Sequence, residues 1–124
     1  MLKNILGRGK FGIAPKEART FEGEVFDSKA ELHRWLELKL LERAGQVSEL
    51  TRQVKFVLIE AFSYRGKKIR ETAYFADFVY KQNGNLIAED LKGVCTKEYQ
   101  IKKKLFLKIY GEKYLFFENK LSLK

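Results

Sequence analysis

The sequence predicts an α+β (α/β) domain with its elements in the order α-β-β-β-α-β, a central mixed sheet flanked by two helices. Three observations carry that reading. A capping box at Ser28 opens an apolar-rich segment that closes at Gly45. Asn83-Gly84, the strongest short hairpin signal, joins two runs rich in β-branched and aromatic residues. Thr96 precedes a second periodic segment that is closed by Gly111 and followed by "KYLFFE".

In chain order, residues 1–20 are basic and glycine-rich with little periodicity, and read as an arm ahead of a single domain over 21–124. Gly7, Gly9 and Gly12 spell GxGxxG. A dinucleotide fingerprint needs a strand before it and a helix after it. Pro15 follows and no strand pattern precedes, so the motif is rejected. "TFEGEVFDS" reads as a short extended stretch turning at Gly23. The first helix runs from Ser28 to Ala44, with Ser28 at the cap and Glu31 at N3. Trp35, Leu36, Leu38, Leu40 and Leu41 give it wide apolar coverage. "VKFVLIEAFSY" (54–64) reads as a strand, turned by Arg65-Gly66-Lys67-Lys68, and a second strand runs from about Ile69 to Tyr80. "NLIAEDLK" makes a third strand ending at Gly93. The second helix covers Lys97 to Tyr110, and "KYLFFE" is the last strand.

The 124 residues suffice for one domain with a real core. No apolar run approaches the roughly 18 residues of a membrane span. No apolar h-region marks a signal peptide. Cys95 is the single cysteine, which excludes an intramolecular disulfide framework and a Cys-rich zinc site. A reducing, cytoplasmic setting is expected. The net charge of +9, from 25 basic and 16 acidic residues, favours a polyanionic partner, nucleic acid foremost. A basic domain without such a partner is the other reading.

The hairpin is the informative stretch. With Asn83 and Gly84 as a type I′ loop, Gln82 faces Asn85, and counting outward sets Asp77 opposite Asp90. Directly opposed residues share a face, with Cβ atoms about 4.5–5.5 Å apart. Lys92 joins that face two residues beyond Asp90, and Glu89 points the other way. Two carboxylates so close repel unless something positive sits between them. One reading is an Asp–Lys–Asp ion network on a solvated face. The other is a divalent cation. Mg²⁺ prefers oxygen ligands, commonly one or two carboxylates plus waters, and Lys92 can then stabilise developing negative charge or position a water. Phe75, Val79 and Ala88 are expected on the same face, which favours the second reading.

Asp77, a spacer of twelve residues, and Asp90-Leu91-Lys92 resemble the PD-(D/E)xK nuclease signature. The context gives it weight, because that superfamily's core is α-β-β-β-α-β with the acid-x-Lys on the third strand. "FDSKAELHRWLELKLLERAG", "YFADFVY" and "AEDLKG…TKEYQIKKKLF" resemble a small phage- and prophage-encoded family assigned to this superfamily, over about residues 20 to 110. More distantly the chain is similar to the endonuclease I type of phage junction resolvase and to TnsA-type transposon endonucleases. Ala76, not proline, precedes Asp77, and the third-strand acid is aspartate rather than glutamate. The resemblance implies that Asp77, Asp90 and the Leu91 carbonyl bind Mg²⁺ (or Mn²⁺). It implies that Glu31 holds a second metal or a metal-bound water and that Lys92 acts at the attacking water or scissile phosphate. The implied reaction is phosphodiester hydrolysis leaving a 5′-phosphate. The implied setting is branched DNA such as Holliday junctions in phage recombination, cut by a homodimer. Exposed aromatics near "KYLFFEN" are candidate dimer-interface material.

Glu31 could also serve the capping box alone. On the second helix, Leu105, Phe106 and Ile109 mark the buried face and Lys102 falls within it. Such a lysine either snorkels to solvent or meets an anion, the carboxylate cluster or a bound phosphate. Lys97, Lys104 and Lys108 form a separate exposed stripe suited to backbone phosphates. Arg8, Lys10, Lys16 and Arg19 in the arm suit nucleic acid or simple solubility. His33 lacks partners for zinc or triad chemistry, Trp35 reads as core and Cys95 as a bystander. The alternatives to an endonuclease are a non-catalytic DNA-binding module on the same fold and a protein-interaction domain. The intact Asp77, Asp90 and Lys92 argue against the first, and the opposed aspartates and inward Lys102 argue against the second.

Overall fold

The computed structural model describes residues 14–92 and 95–120. Arg8, Lys10 and the arm up to residue 13 lie outside them, as does the side chain of Lys92. The chain divides into two compact units, one up to Leu40 and one from Leu41 onward.

In the first unit a 3₁₀ turn, Lys16–Arg19, leads into a hairpin of β1 (Thr20–Phe21) and β2 (Glu24–Val25). Glu22 and Gly23, at φ 50° and 83°, make the expected turn. Arg19 is tied within this unit. Its Nη1 donates to the Phe26 carbonyl at 2.5 Å and its Nε to the Ala14 carbonyl at 2.9 Å. Helix α1 (Lys29–Arg43) opens on the predicted box. Ser28 Oγ accepts the Glu31 amide at 3.0 Å, and Glu31 Oε1 accepts the Asp27 amide at 3.2 Å, one residue ahead of the cap. The buried residues of α1 are Glu31, Leu32 and Leu38, while Leu40 is 60% exposed, so the apolar coverage is narrower than the leucine count suggests.

The second unit is built on a four-stranded sheet. Strands β3 (Ser48–Ile59), β6 (Thr72–Gln82) and β7 (Asn85–Lys92) pair antiparallel in the order β3-β6-β7, and β8 (Tyr114–Lys120) joins β7 in parallel. The main elements thus follow the predicted α-β-β-β-α-β order in an α+β fold with a mixed sheet. One feature is additional. Where a simple turn was expected, the chain makes a separate hairpin of β4 (Phe62–Tyr64) and β5 (Lys67–Ile69), turned at Arg65 and Gly66 with φ 49° and 81°. Asn83 and Gly84, at φ 53° and 80°, form the predicted type I′ turn between β6 and β7.

Helix α2 (Lys97–Tyr110) has the expected bounds, with Thr96 Oγ1 accepting the Tyr99 amide at 3.0 Å. It packs on one sheet face through Phe106, which is fully buried. The Phe106 ring lies 4.9 Å from Phe56, 5.4 Å from Tyr74 and 5.7 Å from Phe116. Tyr110 donates its hydroxyl to the Val57 carbonyl at 2.7 Å.

Strand β6 does not alternate throughout. Tyr74 and Ala76 belong to the α2-facing core, and so does Val79, opposed to Ala88. Residues an odd number apart fall on opposite faces of a regular strand. The alternation therefore slips by one residue between Ala76 and Val79. Gln53, opposite that point on β3, adopts φ 53°. Phe75 is consequently 52% exposed and does not share the face of Val79 and Ala88, a correction to the sequence reading.

Truncating the centre of the aromatic cluster, Phe106→Ala, is expected to cost about 3–5 kcal/mol in urea unfolding. Leu107→Ala, on a residue 43% exposed, is expected to change stability by less than about 0.5 kcal/mol.

Candidate functional site

The slip in β6 coincides with the predicted acids. The β6–β7 ladder follows the predicted count from Gln82↔Asn85 to Phe78↔Glu89 and stops one step short of Asp77 and Asp90. There a side chain replaces the ladder. Asp77 Oδ2 accepts the Leu91 amide at 2.8 Å, and Asp77 Oδ1 accepts from Gln53 Nε2 at 3.2 Å. Asp77, half-buried, is thus fixed to the residue that follows Asp90.

Asp90 is 2% exposed. It stands beside Glu118 in the parallel β7–β8 register, on the face covered by α2. Two phenols converge on it. Burial, then the charge of Asp90, push the Tyr74 pKa far above the usual tyrosine range, and Asp77 adds to the effect. Both acids therefore act on one phenol. Burial pushes Tyr99 up as well, followed by its hydrogen bond to Glu118 and by the nearby Asp90. Tyr99 donates to Glu118 Oε2 at 2.5 Å, and Lys103 Nζ lies 3.3 Å from Glu118 Oε1. Both tyrosines remain neutral, and Tyr99 donates its single hydroxyl proton to Glu118.

Glu89 points away from Asp90, as expected, and is fully buried. It accepts from the Tyr80 hydroxyl at 2.7 Å and from Asn119 Nδ2 at 3.1 Å. Lys92 is the last residue of β7. Glu31 is buried in the first unit with the capping contacts given above.

The inward lysine of α2 differs from the expected one. Lys102 is half-buried and pairs with Glu98 at 3.1 Å along the helix, and Ile109 is 48% exposed. Leu105 and Phe106 pack on the core as expected, with Tyr99 and Tyr110, and Lys103 lies over the Phe116 ring at 5.5 Å. Lys97, Lys104 and Lys108 are exposed, as the stripe predicts. Lys103 and Lys104 border a cavity of about 380 Å³ with Cys95, Gln100 and Leu107. His33 and Cys95 are exposed. The sequence reading missed Tyr74, Tyr99, Lys103 and Glu118. The signal for Glu118 was present, since it alternates with Tyr114 and Phe116.

Among the described residues no three His, Cys, Asp or Glu side chains gather as a metal-holding group. The candidate centre is the pair Asp77 and Asp90 with the Leu91 backbone between them. That hard-oxygen donor set fits Mg²⁺ or Mn²⁺, which commonly takes one or two carboxylates and fills its shell with water. Among the described residues no helix is long and apolar enough to cross a membrane.

A raised tyrosine pKa contributes stability that is present below the ordinary value and lost as pH rises toward the folded one. The urea midpoint of the native chain is expected to fall above about pH 10. Tyr74→Phe and Tyr99→Phe are expected to fall less steeply there, which urea titrations at neutral and alkaline pH will read.

A family model described as "Protein of unknown function (DUF1064)" matches residues 14–123. The chain belongs to that family. No curated protein matches it.

Proposed function

We propose that this member of the DUF1064 family is a metal-dependent DNA endonuclease, hydrolysing phosphodiester bonds in branched DNA such as Holliday junctions and working as a homodimer. One observation supports the catalytic reading above the others. Asp77 and Asp90 stand at the step where the β6–β7 ladder stops, with Asp77 tied to the amide of Leu91, the residue after Asp90. Lys92 follows at the spacing of the PD-(D/E)xK signature, to which the chain's motifs and element order are similar. The preference for branched DNA and the dimer rest on that resemblance.

In this reading Asp77, Asp90 and the Leu91 carbonyl hold the cation. Bound Mg²⁺ supplies polarisation of a phosphoryl oxygen and a nucleophilic water at neutral pH. Gln53 and the Leu91 amide hold the Asp77 carboxylate in place before any ligand arrives. Lys92 serves the attacking water or the scissile phosphate. The +9 charge and the exposed Lys97, Lys104 and Lys108 suit a phosphate backbone.

The test incubates purified protein with a labelled four-way junction, a matched duplex and a single strand, each with Mg²⁺, Mn²⁺ or EDTA. Cutting is expected with either metal, strongest on the junction and absent in EDTA. Asp77→Asn and Asp90→Asn are expected to lower it at least about hundredfold. Glu31→Gln, which retains an acceptor for the Asp27 amide, tests the role that the resemblance implies for Glu31: loss of cutting at unchanged stability would support it, and unchanged cutting would leave capping as its part. Binding without cutting under any metal would make the chain a non-catalytic DNA-binding module.

A further inference from the structure

The β4–β5 hairpin is the part of the second unit that its core does not explain. Every residue from 59 to 71 is exposed. Yet the hairpin carries large apolar side chains, with Phe62 50%, Tyr64 59% and Ile69 37% exposed. Between residues 61 and 70 there are four basic residues, Arg65, Lys67, Lys68 and Arg70, and no acidic one. The flanking Glu71 is engaged by Lys55.

The register sorts these side chains. Phe62 opposes Ile69 and Tyr64 opposes Lys67, while Ser63 opposes Lys68. Opposed residues share a face and successive residues alternate. Phe62, Tyr64, Lys67 and Ile69 therefore form one apolar-aromatic face with a cation in it, and Lys68 stands on the other. The Arg65 guanidinium lies 6.0 Å from the Tyr64 ring centroid, so a cation and a π-face are offered together at the tip. A two-stranded ribbon this short is not stable by itself in water. Cross-strand pairs steady it, yet Phe62 and Tyr64 still turn half or more of their surface to solvent.

We propose that the β4–β5 hairpin is a nucleic-acid-binding finger, in which Phe62 and Tyr64 stack on unpaired bases and Arg65, Lys67, Lys68 and Arg70 bind the adjoining phosphates. This rests on the reading of the chain as a DNA-acting protein, and it names the surface that senses an opened or branched duplex. The chemistry selects that partner. Phosphates match the run of cations, and every base offers a π-face to an exposed ring. A duplex with all its bases stacked offers the phosphates but not the faces, so the aromatic pair gives preference for branch points and single strands.

The test measures fluorescence anisotropy of a labelled four-way junction, a duplex and a single strand at several KCl concentrations, with EDTA present to prevent cutting. It compares the native chain with Phe62→Ala/Tyr64→Ala and with Arg65→Ala/Lys67→Ala/Lys68→Ala/Arg70→Ala. The aromatic variant is expected to bind the single strand and junction at least about fivefold more weakly and the duplex almost unchanged. The basic variant is expected to weaken all three and to flatten the salt dependence on duplex by up to about 0.9 in log–log slope for each cation that meets a phosphate. Single substitutions Tyr64→Ser and Lys68→Glu give the same tendencies if a multiple variant folds poorly. Native-like binding by all the variants, with the native chain binding well, would overturn the finger and leave the nuclease reading standing. No binding of any DNA by the native chain would overturn both, and capture of anionic vesicles through the hairpin in that case would assign the face to a membrane surface.

Discussion

The 2.8 Å hydrogen bond from the Leu91 amide to the Asp77 carboxylate marks the constraint around which the second unit is arranged. Continued regularly, the β6–β7 register would pair Leu91 with Ala76. A side-chain oxygen takes the amide instead, and the backbone donor is satisfied without the ladder. Strand β6 is then free to slip by one residue. That slip lets Tyr74 and Ala76 on one side of it, and Val79 on the other, face the same helix. Gln53 completes the arrangement by adopting φ 53° and donating to the second Asp77 oxygen.

The slip also explains how a small core tolerates acids within its sheet. Asp90 sits under α2 against Tyr74 and Tyr99, and Glu118 beside it meets Tyr99 and Lys103. On the opposite face Glu89 meets Tyr80 and Asn119. A buried carboxylate is tolerated when it accepts hydrogen bonds, and for Glu118 and Glu89 neutral phenols donate them with little conformational freedom to lose. Phe106 and its ring neighbours hold α2 down, and α2 in turn brings Tyr99 and Lys103 to the carboxylates. Core packing and the candidate site therefore share one scaffold.

Much of this was legible in the sequence where the cause is local. Capping residues, the Asn83-Gly84 turn and Gly45 act within a few neighbours, so α1, α2 and the β6–β7 hairpin fall near their expected places, and the pairing from Gln82 to Phe78 follows from the turn alone. The slip at Asp77 was not legible, because it depends on a residue 24 positions away whose backbone turns left-handed. Reading past it placed Phe75 on the wrong face. The inward lysine was misread because Ile109, which is 48% exposed, suggested a face rotated from the real one. The spacing Tyr99, Lys103, Phe106, Tyr110 describes the packed column, and it needs the aromatic partners on β3 and β8 to be recognised. The β4–β5 hairpin was merged into the strands on either side of a turn at 65–68, because its own strands are only three residues long.

The account stands on Asp77 and Asp90 holding a divalent cation together. The most direct measurement is a Mn²⁺ titration followed by electron paramagnetic resonance on the native chain, Asp77→Asn and Asp90→Asn, with circular dichroism to verify folding. The account predicts that the native chain binds Mn²⁺, that Mg²⁺ displaces it, and that each folded variant loses that binding. Native-like Mn²⁺ binding in folded Asp90→Asn, or no binding by the native chain with or without DNA, would contradict it.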